Sequence, residues 1–311
     1  MAPVKRSVSV AREAISLWTS RNAFQHAGAL AFYTLFSLAP MAIIIITILG
    51  AVFGEEAARG EVAAQIDDLI GPQAAQAVQD AVLRSRLEEA GLLPTLLGIG
   101  ALLMGATTVF AQMQNSLNQF WGVTARPSRS GVIVFLMTRL LSLGVVLIIG
   151  FLLLTSLVMS MGILALIRYA ESWIPIPTLV VSAIDLGLSL ATSTLLFAMI
   201  FKILPDVHLQ WRDVWRSAFM TAVLFVIGQY LISFYLTTTA PGSTYGAAGS
   251  LVLVLMWVYY SALILFLGTA LTKATILQRG DVVVPKPTAV RVHMDILEDD
   301  GGGMKKVADV D

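Results

Sequence analysis

The sequence has no cysteine and only three histidines. The first absence excludes disulfides, thiolate nucleophiles and cysteine-ligated metals. As for the second, His26, His208 and His293 lie far apart, without metal-ligand spacing. Charge is scarce too: Asp, Glu, Lys and Arg make up 13% of the 311 residues, about half the usual share of a soluble domain. The formal net charge is zero, so no global basic field exists to attract nucleic acid. No glycine-rich phosphate loop follows a strand, and no serine stands in a nucleophile-elbow context. A soluble enzyme, a secreted disulfide scaffold and a nucleic-acid-binding domain are therefore excluded as first readings, and no cofactor or metal is expected.

What is abundant is apolar surface. Hydrophobic residues are 57% of the chain and the mean hydropathy is +0.81. Residues 27–54, 90–125, 140–167 and 217–272 carry no charge at all. Uninterrupted apolar runs of about 18 or more residues mark membrane spans. Six are expected, at roughly 26–53, 92–118, 133–163, 177–203, 214–237 and 246–273. Each must be a helix, because lipid leaves backbone groups no partners but their own; the runs do not alternate as barrel strands would. The expected fold class is all-α, a six-helix membrane bundle occupying 25–277.

Orientation follows from Lys and Arg. With the N-terminus in the cytoplasm, only Arg59, Arg84, Arg86 and Arg168 of the 20 basic residues fall outside. Both termini are then cytoplasmic. The outer loop 54–91 is acidic and is expected to hold two short helices around Gly71-Pro72. Residues 1–24 form an amphipathic helix with the apolar stripe Val4, Val8, Ala11, Ile15 and Trp18. It either lies among the lipid headgroups or packs on the protein. Residues 278–311, with an acidic cluster and three consecutive glycines, are expected to form a disordered cytoplasmic tail.

Three runs of residues carry a resemblance. They are Ala27 to Pro40 (AGALAFYTLFSLAP), Leu204-Pro205 followed by Trp211-Arg212-Asp213, and Ser243 to Ala247 leading into Leu255 to Tyr259 and Ser261 to Ile264. Together they resemble the YihY/virulence factor BrkB family of bacterial inner-membrane proteins, over about residues 10–277. The resemblance implies a six-helix inner-membrane protein with cytoplasmic ends, for which transport of lipid or lipopolysaccharide precursors has been suggested. It also brings an old ribonuclease label. The loops offer too few acid–base and basic groups for that activity, so no enzyme is expected. The last span of the family commonly ends Gly-Ala-Glu-Leu; here Gly268-Thr269-Ala270-Leu271 lacks the acid.

The sharpest candidate is Asp185, alone in charge between Ser172 and Phe201. On a helical wheel Thr178, Ser182, Asp185, Ser189, Thr192 and Ser193 share one stripe about 100° wide. Either the stripe lines a polar pathway with Asp185 as a cation or proton site, or small polar residues permit close helix packing. In the second span Thr108, Gln112, Asn115 and Gln119, with Gln114 and Asn118 adjoining, form a polar half. The simpler reading is a face wetted at headgroup level; the other is a vestibule wall. Arg139 either snorkels or contacts an anion or lipid headgroup. Pro40 marks a candidate kink. Trp121, Trp173, Trp211 and Trp215 stand near span ends, as an aromatic belt requires.

The first hypothesis is therefore transport or translocation of a lipid or small polar solute, with membrane lipids as partners. The second is a non-transporting envelope scaffold that works through its loops. Reporter fusions after Asp80 and after Arg279 should report opposite sides of the membrane; one shared side would end the six-span topology.

Overall fold

The computed structural model describes residues 2–54, 92–126, 178–239, 247–292, 294–299 and 304–310, with isolated positions between 56 and 169. The chain is mostly helical. The helices are α1 (Ala2–Ser20), α2 (Ala23–Phe53), α3 (Leu92–Trp121), α4 (Thr178–Ile203), α5 (Trp211–Thr239) and α6 (Ala247–Leu277). Five of them begin and end within a few residues of expected spans. The third expected span, 133–163, lies outside the described residues apart from isolated helical positions, and Arg139, Trp173 and most of the acidic loop lie outside them too. Among the described residues, three helical stretches are long and apolar enough to cross a membrane, and the bent α2 adds a fourth.

The bend in α2 is at Pro40. The proline removes a backbone donor and its ring crowds the preceding turn, and the two arms meet at 51°. α3 receives the bend at Gly105, where a Cβ would stand 2.8 Å from Pro40 Cγ. Two further glycines set the packing of α6 on α5. A Cβ at Gly268 would overlap Thr221 Oγ1 and lie 2.7 Å from Phe201 Cζ, and one at Gly228 would overlap the Tyr260 ring. Lipid supplies no hydrophobic drive between helices, so such close backbone approach is what holds them. Gly268 and Ala270, where the family's acid would stand, are buried in this contact layer.

Toward the ends of α3 and α6 the core becomes aromatic. Phe120 and Phe266 stack at 5.1 Å, and His26 lies 6.0 Å from both rings. Trp121 is buried and so does not join an interfacial belt. α1 runs along α6, and Trp18 Nε1 donates to the Leu263 carbonyl at 3.1 Å. Its buried side is Ala14 with Val10, Leu17 and Trp18. Among the described side chains of the expected apolar stripe, Trp18 faces protein, while Val8, Ala11 and Ile15 are exposed.

Beyond α6 the expectation of disorder is corrected. Gly280, at φ 77°, turns the chain in a conformation that glycine adopts without strain, and the segment returns to the bundle. β3 (Val284–Pro285) pairs antiparallel with β2 (Val207–His208), and β4 (Ala289–Arg291) with β1 (Val123–Ala125). Val283 and Ala289 are buried. Composition hid this strap because ladder hydrogen bonds, rather than bulk hydrophobicity, hold it. β5 (Met294–Asp299) and β6 (Met304–Val310) pair with each other.

Overpacking a close helix contact costs about 1–3 kcal/mol, so Gly268→Ala should lower the melting temperature in detergent. Gly187→Ala, where a Cβ meets nothing within 4 Å, should leave it unchanged or raise it.

Candidate functional site

The first turn of α2, the last turns of α3, α4 and α6 and the first turn of α5 gather at one end of the bundle with the β1–β4 and β2–β3 pairs. This end carries most of the basic residues of the described helices. At its centre is Asp206, in the short connection between α4 and α5. Gln114 and Asn118, one turn apart on α3, both donate to its Oδ2, at 3.2 and 2.9 Å. The Asp206 N–H donates to Asn118 Oδ1 at 2.8 Å, so Asn118 grips side chain and backbone together. From the strap, the Thr288 hydroxyl donates to Oδ1 at 3.4 Å and the Lys286 N–H to the Asp206 carbonyl at 2.9 Å. One carboxylate thus joins α3, the α4–α5 connection and the segment after α6.

Lysines complete the clamp. Lys286 Nζ donates to the Ile203 carbonyl at 3.1 Å, and Lys273 Nζ to the Phe120 carbonyl at 3.0 Å. Each satisfies a carbonyl that a helix end leaves open, where positive charge is favoured. Lys202 Nζ donates to the Leu209 carbonyl, and Arg279 pairs with Asp213 at the start of α5. Burial pushes the Lys286 ammonium below its ordinary value of 10.5; Asp206 partly offsets this and Lys202 adds to it.

The polar half of α3 is therefore divided. Asn115 and Gln119 are exposed, as a wetted face requires. Gln114, Ser116 and Asn118 are buried; Gln114 and Asn118 are covered where they bond Asp206 of the α4–α5 connection. Gln114 stands seven residues before the end of α3, about 10 Å into the bundle at 1.5 Å per residue. Its Oε1 is buried and has no partner among the described residues. Asp206 escapes a reading of local sequence because its side-chain partners lie 82 to 92 residues away. The available signal was the Leu204-Pro205 motif beside it.

The stripe singled out in the fourth span lies on α4, apart from this clamp. Ser182 and Ser189 are exposed, as are their neighbours Leu179, Ala183 and Leu186, and Thr192 and Ser193 are half-buried. The side chains of Thr178 and Asp185 lie outside the described set. Pro40 is half-buried at its bend.

Three outcomes test the clamp. Asp206→Ala leaves buried amides unpaired and should cost about 1–3 kcal/mol, read as a lower melting temperature in detergent. Truncation after Val283 should destabilise similarly by removing the strap, whereas truncation after Val292 should have little effect, since β5 and β6 pair with each other. The lowered Lys286 value means that the folded chain binds fewer protons than the unfolded one, so stability rises with pH. Melting should therefore shift upward with pH within the alkaline window that ends at 10.5, and Lys286→Met should flatten that rise.

The comparisons with known proteins cover both halves of the clamp. The family model described as virulence factor BrkB matches residues 14–291, extending the resemblance through the strap. A UPF0761 membrane protein of Pseudoalteromonas atlantica is 28% identical over 250 residues, 79% of each chain. A protein named as ribonuclease-like, YfkH of Bacillus subtilis, is 26% identical over 84% of this chain and 93% of its own. A UPF0761 membrane protein of Chromobacterium violaceum is 26% identical over 88% of this chain but only 63% of its own length. No solved structure matches. With nearly the whole helical bundle and its strap inside the matched region, the chain belongs to the virulence factor BrkB family of membrane proteins.

Proposed function

We propose that the chain is a six-span protein of the bacterial inner membrane, with cytoplasmic termini, that translocates a lipid or polar solute through its bundle. The observation that carries this reading is the Asp206 clamp. It brings a carboxylate beside Gln114, whose amide oxygen is buried about two turns inside the end of α3 without a partner among the described residues. A strap held mainly by hydrogen bonds closes over them. Such a closure opens by exchanging those bonds for water or substrate, without repacking the helices. The sequence pattern around Asp185 on α4 and the basic Arg139 remain candidates for further polar contacts. The clamp's acid is bonded to amides and a hydroxyl, an arrangement that lends no support to the ribonuclease-like name of the Bacillus subtilis relative.

A second reading, an envelope scaffold, draws on the helix packing. Buried Thr194, Thr221, Thr269 and Thr272 each donate to the carbonyl four residues earlier in their own helix, at 2.6 to 3.0 Å. These hydroxyls offer no donor to a solute.

One experiment separates the readings. The chain has no cysteine, and Thr124 and Val290 face each other across the β1–β4 pair, within reach of a disulfide. Thr124→Cys with Val290→Cys locks the strap on oxidation. In proteoliposomes, movement of a fluorescent phospholipid should exceed that in empty vesicles, stop on oxidation and return on reduction. No movement above empty vesicles, or equal rates in both redox states, would overturn the proposal. Full envelope function from the locked chain would favour the scaffold.

A further inference from the structure

The start of α5 presents a surface that the clamp does not use. Trp211 and Trp215, one turn apart, are each about half exposed, at 52% and 51%. Arg212 and Arg216 form a parallel exposed row beside them. The four side chains line an open groove of about 430 Å³. Lys202 Nζ stands 5.8 Å from the centre of the Trp211 ring. Asp213, the acid in the first turn of α5, is engaged by Arg279. Neither Arg212 nor Arg216 has an acidic partner among the described residues, so the groove carries uncompensated positive charge.

The surface continues along the helix in a different character. Phe219, Met220, Ile227, Tyr230 and Leu231 are all exposed, and on a 100° wheel they fall on the side that bears the two arginines. An aqueous surface does not tolerate such a row, whereas a lipid tail matches it. Residues 211–232 are also long and apolar enough to cross a membrane. Basic forks sit at one end of α5, indole rings flank them, and an apolar track leads away along the helix. That sequence of chemistries follows an anionic phospholipid from phosphate to acyl chain.

We infer that Trp211, Arg212, Trp215 and Arg216 form a binding site for an anionic phospholipid headgroup, whose acyl chain lies along the exposed face of α5. Each guanidinium offers a planar fork that matches phosphate oxygens. The indoles take the glycerol and upper-chain region, where amphipathic rings are favoured. Asp213 stays out of the site because Arg279 holds it. The inference rests on α5 spanning the membrane and not on transport, so a chain that translocates nothing would still hold this lipid.

The test uses the full chain reconstituted in vesicles that contain a small fraction of lipid brominated in its upper acyl chain, which quenches nearby tryptophan. Brominated phosphatidylglycerol should quench more strongly than brominated phosphatidylcholine at equal fraction. The excess should vanish in Trp211→Phe/Trp215→Phe, although the other four of the six tryptophans remain. Arg212→Gln/Arg216→Gln should reduce the preference for the anionic lipid by roughly 30-fold, as expected for two charges at a lipid surface. Arg212→Lys/Arg216→Lys should retain part of the preference, which separates headgroup binding from misfolding. Equal quenching by the two lipids in the wild-type chain would overturn the inference, and that comparison needs no variant. So would an anionic preference that survives Arg212→Gln/Arg216→Gln. Competition by inorganic phosphate at millimolar concentration would assign the groove to a free anion, and competition by polyglutamate to an acidic protein partner; either result would also overturn it.

Discussion

The basic end of this bundle depends on one carboxylate. Asp206 receives two side-chain amides from α3, returns its own N–H to one of them, and takes a hydroxyl and an N–H from the strap. Hydrogen bonds to a charged group are each worth more than those between neutral groups, and here several converge where three chain segments meet. Their geometry fixes how far α3 sits from the α4–α5 connection. The strap then pairs with strands anchored on both sides. Lys286 is carried to Ile203 by the same pairing, so its burial is a consequence of the Asp206 contact rather than a separate device.

Away from that end a different constraint rules. The helices meet through absences of side chain, at Gly105 against Pro40, Gly228 against Tyr260 and Gly268 against Thr221. Buried hydroxyls there bond within their own helix, which frees the faces between helices for van der Waals contact. The protein thus divides into a packed interior that tolerates little movement and a hydrogen-bonded end that can exchange partners. The indoles and guanidiniums at the start of α5 stand on the outside of that second region.

The helices were legible because an apolar run long enough to span lipid has few other ways to be satisfied. Leu92, Thr178 and Ala247 begin their helices within a residue of the expected spans. The polar clamp was not legible, for two physical reasons. Its acid and amides come from segments about 90 residues apart, and neutral Gln114 and Asn118 carry no local sign that they are buried rather than wetted. The strap failed a hydropathy test because backbone pairing and Asp206 hold it, and neither contributes apolar residues. The stripe on α1 did not show which side packs on protein. Periodicity found an apolar face, but Ala14, small and easily overlooked, marks the side that packs on protein. The site residue that drew most attention in the sequence, Asp185, has its side chain outside the described set, and its role rests on the pattern of α4 alone.

The placement of Lys286 and Thr288 also orders events in time. Translation runs from the N-terminus, so Asp206, Gln114 and Asn118 are made long before the residues that cover them. Helices α2 to α6 are synthesised while this end of the bundle lacks its strap. Only when the segment after Gly280 emerges can β3 and β4 dock. Synthesis of the helices and closure of the basic end are therefore separate in time, the second waiting on the segment that follows α6.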